Sequence, residues 1–190
     1  MFSLFRSNNI CFYTATIFLT LSVLIVKAGS YSSIDSLKTL VSYTNSPDNA
    51  KTLTKIAKSY QKAESYREAI NYHKKALSIC RLKRDTVSEA DALYEIGRCY
   101  SLLFVFDIST EYLIKALERY ERNNNLKGAS QALNNLGINY NHCLDKEKAL
   151  DCYLKSYKIS IIVKDERTTA NVLNNIGTIY LTGHIRPKQF

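Results

Sequence analysis

The chain has 190 residues, 46% hydrophobic and 23% charged, which is the balance of an ordinary folded protein. Only two prolines are present, beside 14 tyrosines and no tryptophan, and so little proline suits a mostly helical chain because proline breaks helix interiors. The net charge of +9 attracts acidic partners, nucleic acid or anionic membranes without choosing among them. It is spread along the chain, which excludes a basic tail and points to a generally solvated surface.

Residues 1–30 read as a leader. Arg6 gives a short basic start, the 17 residues from Ile10 to Val26 are apolar except at Thr14, Thr16, Thr20 and Ser22, and the small residues Ala28-Gly29-Ser30 follow. This is the order of a secretory signal peptide, and the run is also close to the length of a membrane span. A cleaved signal, an uncleaved anchor attaching the chain to a membrane through residues 10–26, and a buried helix all fit it. The expected location is therefore periplasmic or otherwise extracytoplasmic, or at the inner membrane. Beyond the leader, 24 basic side chains stand against 17 acidic ones. Residues 31–48 read as a helix near Ile34–Ser42 and a turn at Asn45-Ser46-Pro47-Asp48.

Four segments then align without gaps: Leu53-x-x-Ile56-Ala57-x-x-Tyr60, Leu93-x-x-Ile96-Gly97-x-x-Tyr100, Leu133-x-x-Leu136-Gly137-x-x-Tyr140 and Leu173-x-x-Ile176-Gly177-x-x-Tyr180. Their period is 40 each time. Apolar residues at i, i+3 and i+7 make one stripe on a helix, and the small residue lets a second helix approach. That second helix follows with Ala69, His73 and Ala76, with Ser109, Leu113 and Ala116, and with Ala149, Tyr153 and Ser156. The spacing predicts helices over 49–62, 66–83, 87–103, 108–122, 126–142, 146–163 and 167–182, and so about three and a half antiparallel pairs in 49–182. Ser65 with Glu68 reads as a capping box, Asp107 and Asp145 as N-caps, and Asn123-Asn124-Asn125 as a break. The last helix has no partner before the irregular tail 183–190. Its Leu173, Ile176, Ile179 and Tyr180 are expected to be only partly covered. Either this is a poor cap, or the chain is a piece of a longer array, or a partner or second copy covers it, giving self-association through this helix.

This pattern resembles the tetratricopeptide repeat (TPR) family, whose signature combines a leading aromatic or leucine with Leu-Gly, Tyr, Ala, an aromatic and a closing proline. The period departs from the family's roughly 34 residues. The proline is also missing, with Arg81, Glu121 and Ile161 in its place, and His73 stands where an aromatic is usual and reads as a packing residue. The longer unit looks like the extracytoplasmic input regions of bacterial sensor kinases and regulators, and like kinesin-light-chain-like cargo binders. The resemblance implies an all-α, right-handed superhelix of antiparallel helix pairs, an α-solenoid. It implies a non-catalytic scaffold for a protein or peptide partner, working as an exported adaptor or as the input region of a longer membrane signalling protein.

In the resembled family the first helix of each pair lines the concave surface, through residues just after the leading leucine. Here those positions hold Thr54, Lys55 and Lys58, then Tyr94, Glu95 and Arg98, then Asn134, Asn135 and Ile138, and last Asn174, Asn175 and Thr178. Lys51 and Lys62 extend the first set. Lysines suit a carboxylate, and asparagines suit the backbone of an extended peptide. The candidate peptide site is Lys51, Lys55, Lys58, Lys62, Tyr94, Arg98, Asn134, Asn135, Asn174 and Asn175.

The rival classes are weaker. No phosphate loop, nucleophile elbow or zinc-protease motif is present, so no catalytic residue, metal or cofactor is expected. Nucleic-acid binding has only net charge and Lys74, Lys75, Arg81, Lys83 and Arg84 in its favour, so no nucleic acid partner is expected. Of the cysteines outside the leader, Cys80, Cys99, Cys143 and Cys152 read as small apolar residues buried in helices, and Cys143 and Cys152 as unbonded. His142, Cys143 and Asp145 read as a turn rather than a metal site.

Overall fold

A computed structural model describes Asp35 and residues 49–182; the leader expected within 1–30, the helix and turn expected within 31–48, and the tail expected at 183–190 lie outside the described residues. The helices are α1 (Asn49–Lys62), α2 (Tyr66–Leu82), α3 (Thr86–Leu102), α4 (Phe106–Arg122), α5 (Leu126–His142), α6 (Lys146–Ile162) and α7 (Glu166–Thr182), and there is no strand among the described residues. Each helix packs on its neighbours in the chain, and α3 also touches α5, and α5 touches α7. The result is a TPR-like all-α superhelix in which α1, α3, α5 and α7 form one layer and α2, α4 and α6 the other.

The repeat of 40 is two half-repeats of 20. Each half holds a 17-residue helix from α2 onward and a three-residue turn. The turns share one geometry. Glu64, Arg84, Phe104, Asn124, Leu144 and Lys164 all have φ between 52° and 63°. The next amide donates back across the turn, as in Ser65 N to the Tyr60 carbonyl at 2.9 Å and Asp145 N to the Tyr140 carbonyl at 2.9 Å. These are the bonds by which a left-handed residue closes a helix C-terminus. None of the six is glycine, so each turn carries the cost of a side chain in that region, on the order of 1 kcal/mol.

Following caps start the next helices. Asp85, Asn125 and Asp145 accept from the amides of Ser88, Gly128 and Lys148 at 3.0, 2.9 and 3.1 Å. Two expected caps are corrected. Ser65 precedes α2, yet its side chain makes no capping bond. Asp107 is not the N-cap of α4, because the turn ends at Val105 and leaves Asp107 inside the first helical turn, beside the positive end of the helix.

The repeat stripe forms the core. Leu53, Ile56, Ala57, Leu93, Ile96, Leu133 and Leu136 are buried, as are Ala69, His73, Ala76, Ser109, Leu113, Ala116, Ala149, Tyr153 and Ser156 opposite them. The small motif residue is a slot for the side chain 16 positions later. A Cβ on Gly97 would stand 2.8 Å from Leu113 Cγ, and one on Gly137 would stand 2.5 Å from Tyr153 Cε1. Beside Gly177 nothing lies within 4 Å. Leu173 is accordingly 49% exposed, while Ile176 and Tyr180 are half-buried. Ile179 is not partly covered as expected but fully buried, because it faces back into the cluster of Ala149, Tyr153 and Val172.

Cys80, Cys99 and Cys152 are buried and unbonded. Cys143 is exposed, against the expectation of burial, because it stands in the turn after α5. Beside it His142 stacks on Phe106 with ring centroids 4.9 Å apart.

Candidate functional site: the concave groove

The first helices of the pairs present their polar stripe to a groove of about 530 Å³ at the α1–α5 end of the array. Of the predicted residues it gathers Lys51, Lys55, Lys58 and Tyr94, together with Thr54 and Glu95. Lys62, Arg98, Asn134, Asn135, Asn174 and Asn175 do not line it. The lysines of α1 are exposed. The Lys55 and Lys58 ammonium groups make no ion pair or hydrogen bond among the described residues, which leaves two free cationic donors on one face of α1.

The carboxylates across the groove are already engaged. Glu95 accepts from Gln61 Nε2 at 2.9 Å and pairs with Arg98 at 3.0 Å. Asp91 accepts from the Tyr120 hydroxyl at 2.8 Å. Asp85 caps α3, and the Ser88 hydroxyl and amide hold its carboxyl below the usual range. The groove's uncommitted polar groups are thus cationic donors, although its walls contain both signs of charge.

The asparagines behave differently from a purely ligand-facing set. Asn134 is not exposed to the groove but buried, because α7 stacks on α5 at that point; its Oδ1 accepts from Asn175 Nδ2 at 3.0 Å. Asn135 donates to the Tyr94 hydroxyl at 3.1 Å and to the Gln131 carbonyl at 2.9 Å. Arg98 is half-buried and committed to Glu95. These contacts tie α1 to α3, α3 to α5 and α5 to α7, so they set the curvature of the groove. Asn174 is exposed. Burial raises the Tyr94 phenol, which therefore stays protonated and able to donate.

Two features escaped the sequence reading. Asn139 is fully buried; it donates to Ser109 Oγ at 2.7 Å and Thr110 Oγ1 at 3.2 Å, and accepts from Ser101 Oγ at 2.8 Å. Ser109 in turn donates to the Gly97 carbonyl at 2.7 Å, so a satisfied polar chain runs through the middle of the array. The other repeats carry Ser59, Cys99 and Ile179 in register with Asn139, so periodicity gave no signal. The second feature is His73. It is fully buried and borders the groove, and both ring nitrogens lack a hydrogen-bond partner. No group of three or more His, Cys, Asp or Glu side chains that could hold a metal occurs among the described residues.

Comparison with known proteins places this geometry. Residues 48–122 match the family model described as tetratricopeptide repeat. The chain is 29% identical over 126 residues to the transcriptional activator NprA of Geobacillus stearothermophilus, covering 66% of this chain and 31% of that one. It is 27% identical over 135 residues to the response regulator aspartate phosphatase E of Bacillus subtilis (strain 168), covering 70% and 36%. It therefore spans about a third of the length of these curated relatives. The solved apo form of RapI superposes with a TM-score of 0.73 at 17% identity, over 82% of this chain and 44% of that one. The likeness to RapI is one of fold: the in-register motifs build a TPR-like helical array, of which residues 48–122 match the tetratricopeptide-repeat model.

Proposed function

We propose that the chain is a non-catalytic protein-interaction scaffold that holds an extended, acidic peptide segment in its concave groove. The observation that carries this is the pair of free ammonium groups, Lys55 and Lys58, on a groove whose carboxylates are all engaged. Association of an acidic segment there is steered by charge and weakens with salt. Asn174 and the half-buried Asn135 and Asn175 continue the polar stripe along the extended chain.

The apolar run 10–26 after Arg6 supports placing this scaffold outside the cytoplasm, as an exported adaptor or the input region of a membrane-attached regulator. The names of the matched relatives, a transcriptional activator and a response regulator phosphatase, support a regulatory setting. No catalytic role is proposed, because the groove's acidic groups are bound to internal donors.

The test is fluorescence anisotropy of the full chain with an acetylated, amidated Gly-Glu octapeptide against the matching Gly-Lys octapeptide. Preference for Gly-Glu, lost in a Lys55→Glu, Lys58→Glu variant that keeps its helical circular dichroism, supports the reading. Equal affinity for the two peptides, or an unchanged affinity in the variant, refutes it.

A further inference from the structure

His73 is the only residue among the described ones with buried side-chain nitrogens or oxygens that have no hydrogen-bond partner. Its place in the repeat is occupied by Leu113 and Tyr153 in the next two units, which fill the slots beside Gly97 and Gly137. An apolar side chain thus satisfies this position, and an imidazole leaves two polar atoms without partners, at a cost of solvation. Leucine would be the better packing residue. The ring borders the groove, with Lys58 of α1 and Glu95 and Arg98 of α3 close enough to act on its charge.

The geometry points to a carboxylate-binding subsite at the α1–α3 end of the groove, with the His73 imidazole N–H as its floor and the Lys55 and Lys58 ammonium groups as its rim. This rests on the groove being the binding surface, and it names the chemical group that anchors the peptide there. A carboxylate accepts from the imidazole N–H while the two lysines neutralise it. Glu95 does not take this place, because Gln61 and Arg98 already hold it. Burial holds His73 down to about 4, so near neutral pH the free protein offers one N–H donor and no second positive charge.

The test uses the full chain with isotope-labelled histidine and three N-acetylated octapeptides. Gly-Glu amide carries side-chain carboxylates, Gly-Gln acid only a terminal one, and Gly-Gln amide none. The His73 ring nitrogen resonances, identified by their loss in His73→Leu, are expected to shift with a carboxylate peptide and not with the amide control. Whichever acid shifts them names the source of the carboxylate. Affinity for that peptide is expected to fall roughly tenfold in His73→Leu, the loss of one charge-assisted hydrogen bond, while the melting temperature stays level or rises. If the peptide binds through the lysines but the ring resonances do not move, or His73→Leu binds as tightly as the parent, the subsite is refuted and the groove reading survives. A shift as large with Gly-Gln amide refutes the carboxylate chemistry. If none of the three peptides binds, the groove reading and this subsite fail together.

Discussion

Gly137→Ala and Gly177→Ala are the same change at the same repeat position, and the structure gives them opposite signs. Alanine gains about 1 kcal/mol over glycine within a helix. At Gly177 nothing lies within 4 Å of the new Cβ, so that gain stands alone and the helix is stabilised by about 1 kcal/mol. At Gly137 the Cβ would lie 2.5, 2.6 and 3.0 Å from Cε1, Cδ1 and Cζ of Tyr153. Ordinary carbon contact begins near ~3.5 Å, so the ring must move by about 1 Å. Tyr153 is 1% exposed and packed with Ala149, Val172 and Ile179, so the ring has little room to give. Overpacking of this kind costs about 1–3 kcal/mol, and the upper end fits a rigid ring. The net expectation is a loss of roughly 1–2 kcal/mol at Gly137 and a gain of about 1 kcal/mol at Gly177. Urea unfolding followed by far-ultraviolet circular dichroism and by tyrosine fluorescence reads both. Repeat arrays lose stability unit by unit, so the Gly177 gain is read on the early part of the transition, where α7 melts. If the two variants shift in the same direction, the slot-and-knob account of the repeat is wrong.

Two further predictions follow from buried polar groups. His73 has a folded pKa lowered to about 4 by burial, against 6.5 for an exposed imidazole. The unfolded chain therefore binds a proton between those values while the folded one does not, so stability falls as pH drops from about 6.5 to 4, by about 3 kcal/mol. Urea midpoints taken across that range should fall more steeply for the parent than for His73→Leu, and parallel curves would show that His73 is not held neutral. Asn139→Ala removes both the acceptor for Ser101 and the donor to Ser109 and Thr110. Ser109 keeps the Gly97 carbonyl, but half-buried Ser101 loses its acceptor and Ser109 and Thr110 lose a donor, at about 1–3 kcal/mol, and the void adds to that, so a loss of roughly 2–4 kcal/mol in urea unfolding is expected. A loss under about 0.5 kcal/mol would show that water replaces the amide at no cost.

The seven helices were legible because periodicity reports which face of a helix is buried, and their bounds read from spacing lie within two residues of those observed. The caps were less legible. Asp145 and Asp107 look alike in the sequence, but every turn has the same length, and only Asp145 stands at its last position. The candidate site divides in the same way. Lys51, Lys55 and Lys58 are three residues of one helix face, which local spacing alone brings together. Asn134, Asn135 and Asn175 fit the same rule, yet tertiary stacking turns them into ties between helices. That outcome depends on a neighbour about 41 residues away in the chain.

By itself, then, the sequence determined that this chain folds as paired helices in a repeating array, because an apolar stripe with a small residue at a fixed place can be buried in only one way. Tertiary structure decided which polar side chains remain free. The Lys55 and Lys58 ammonium groups have no ion pair or hydrogen bond among the described residues, Glu95 and Asp91 meet internal donors, and His73 occupies an apolar slot without a hydrogen-bond partner. Those assignments depend on distances between helices that stack, and a one-dimensional period carries no record of them.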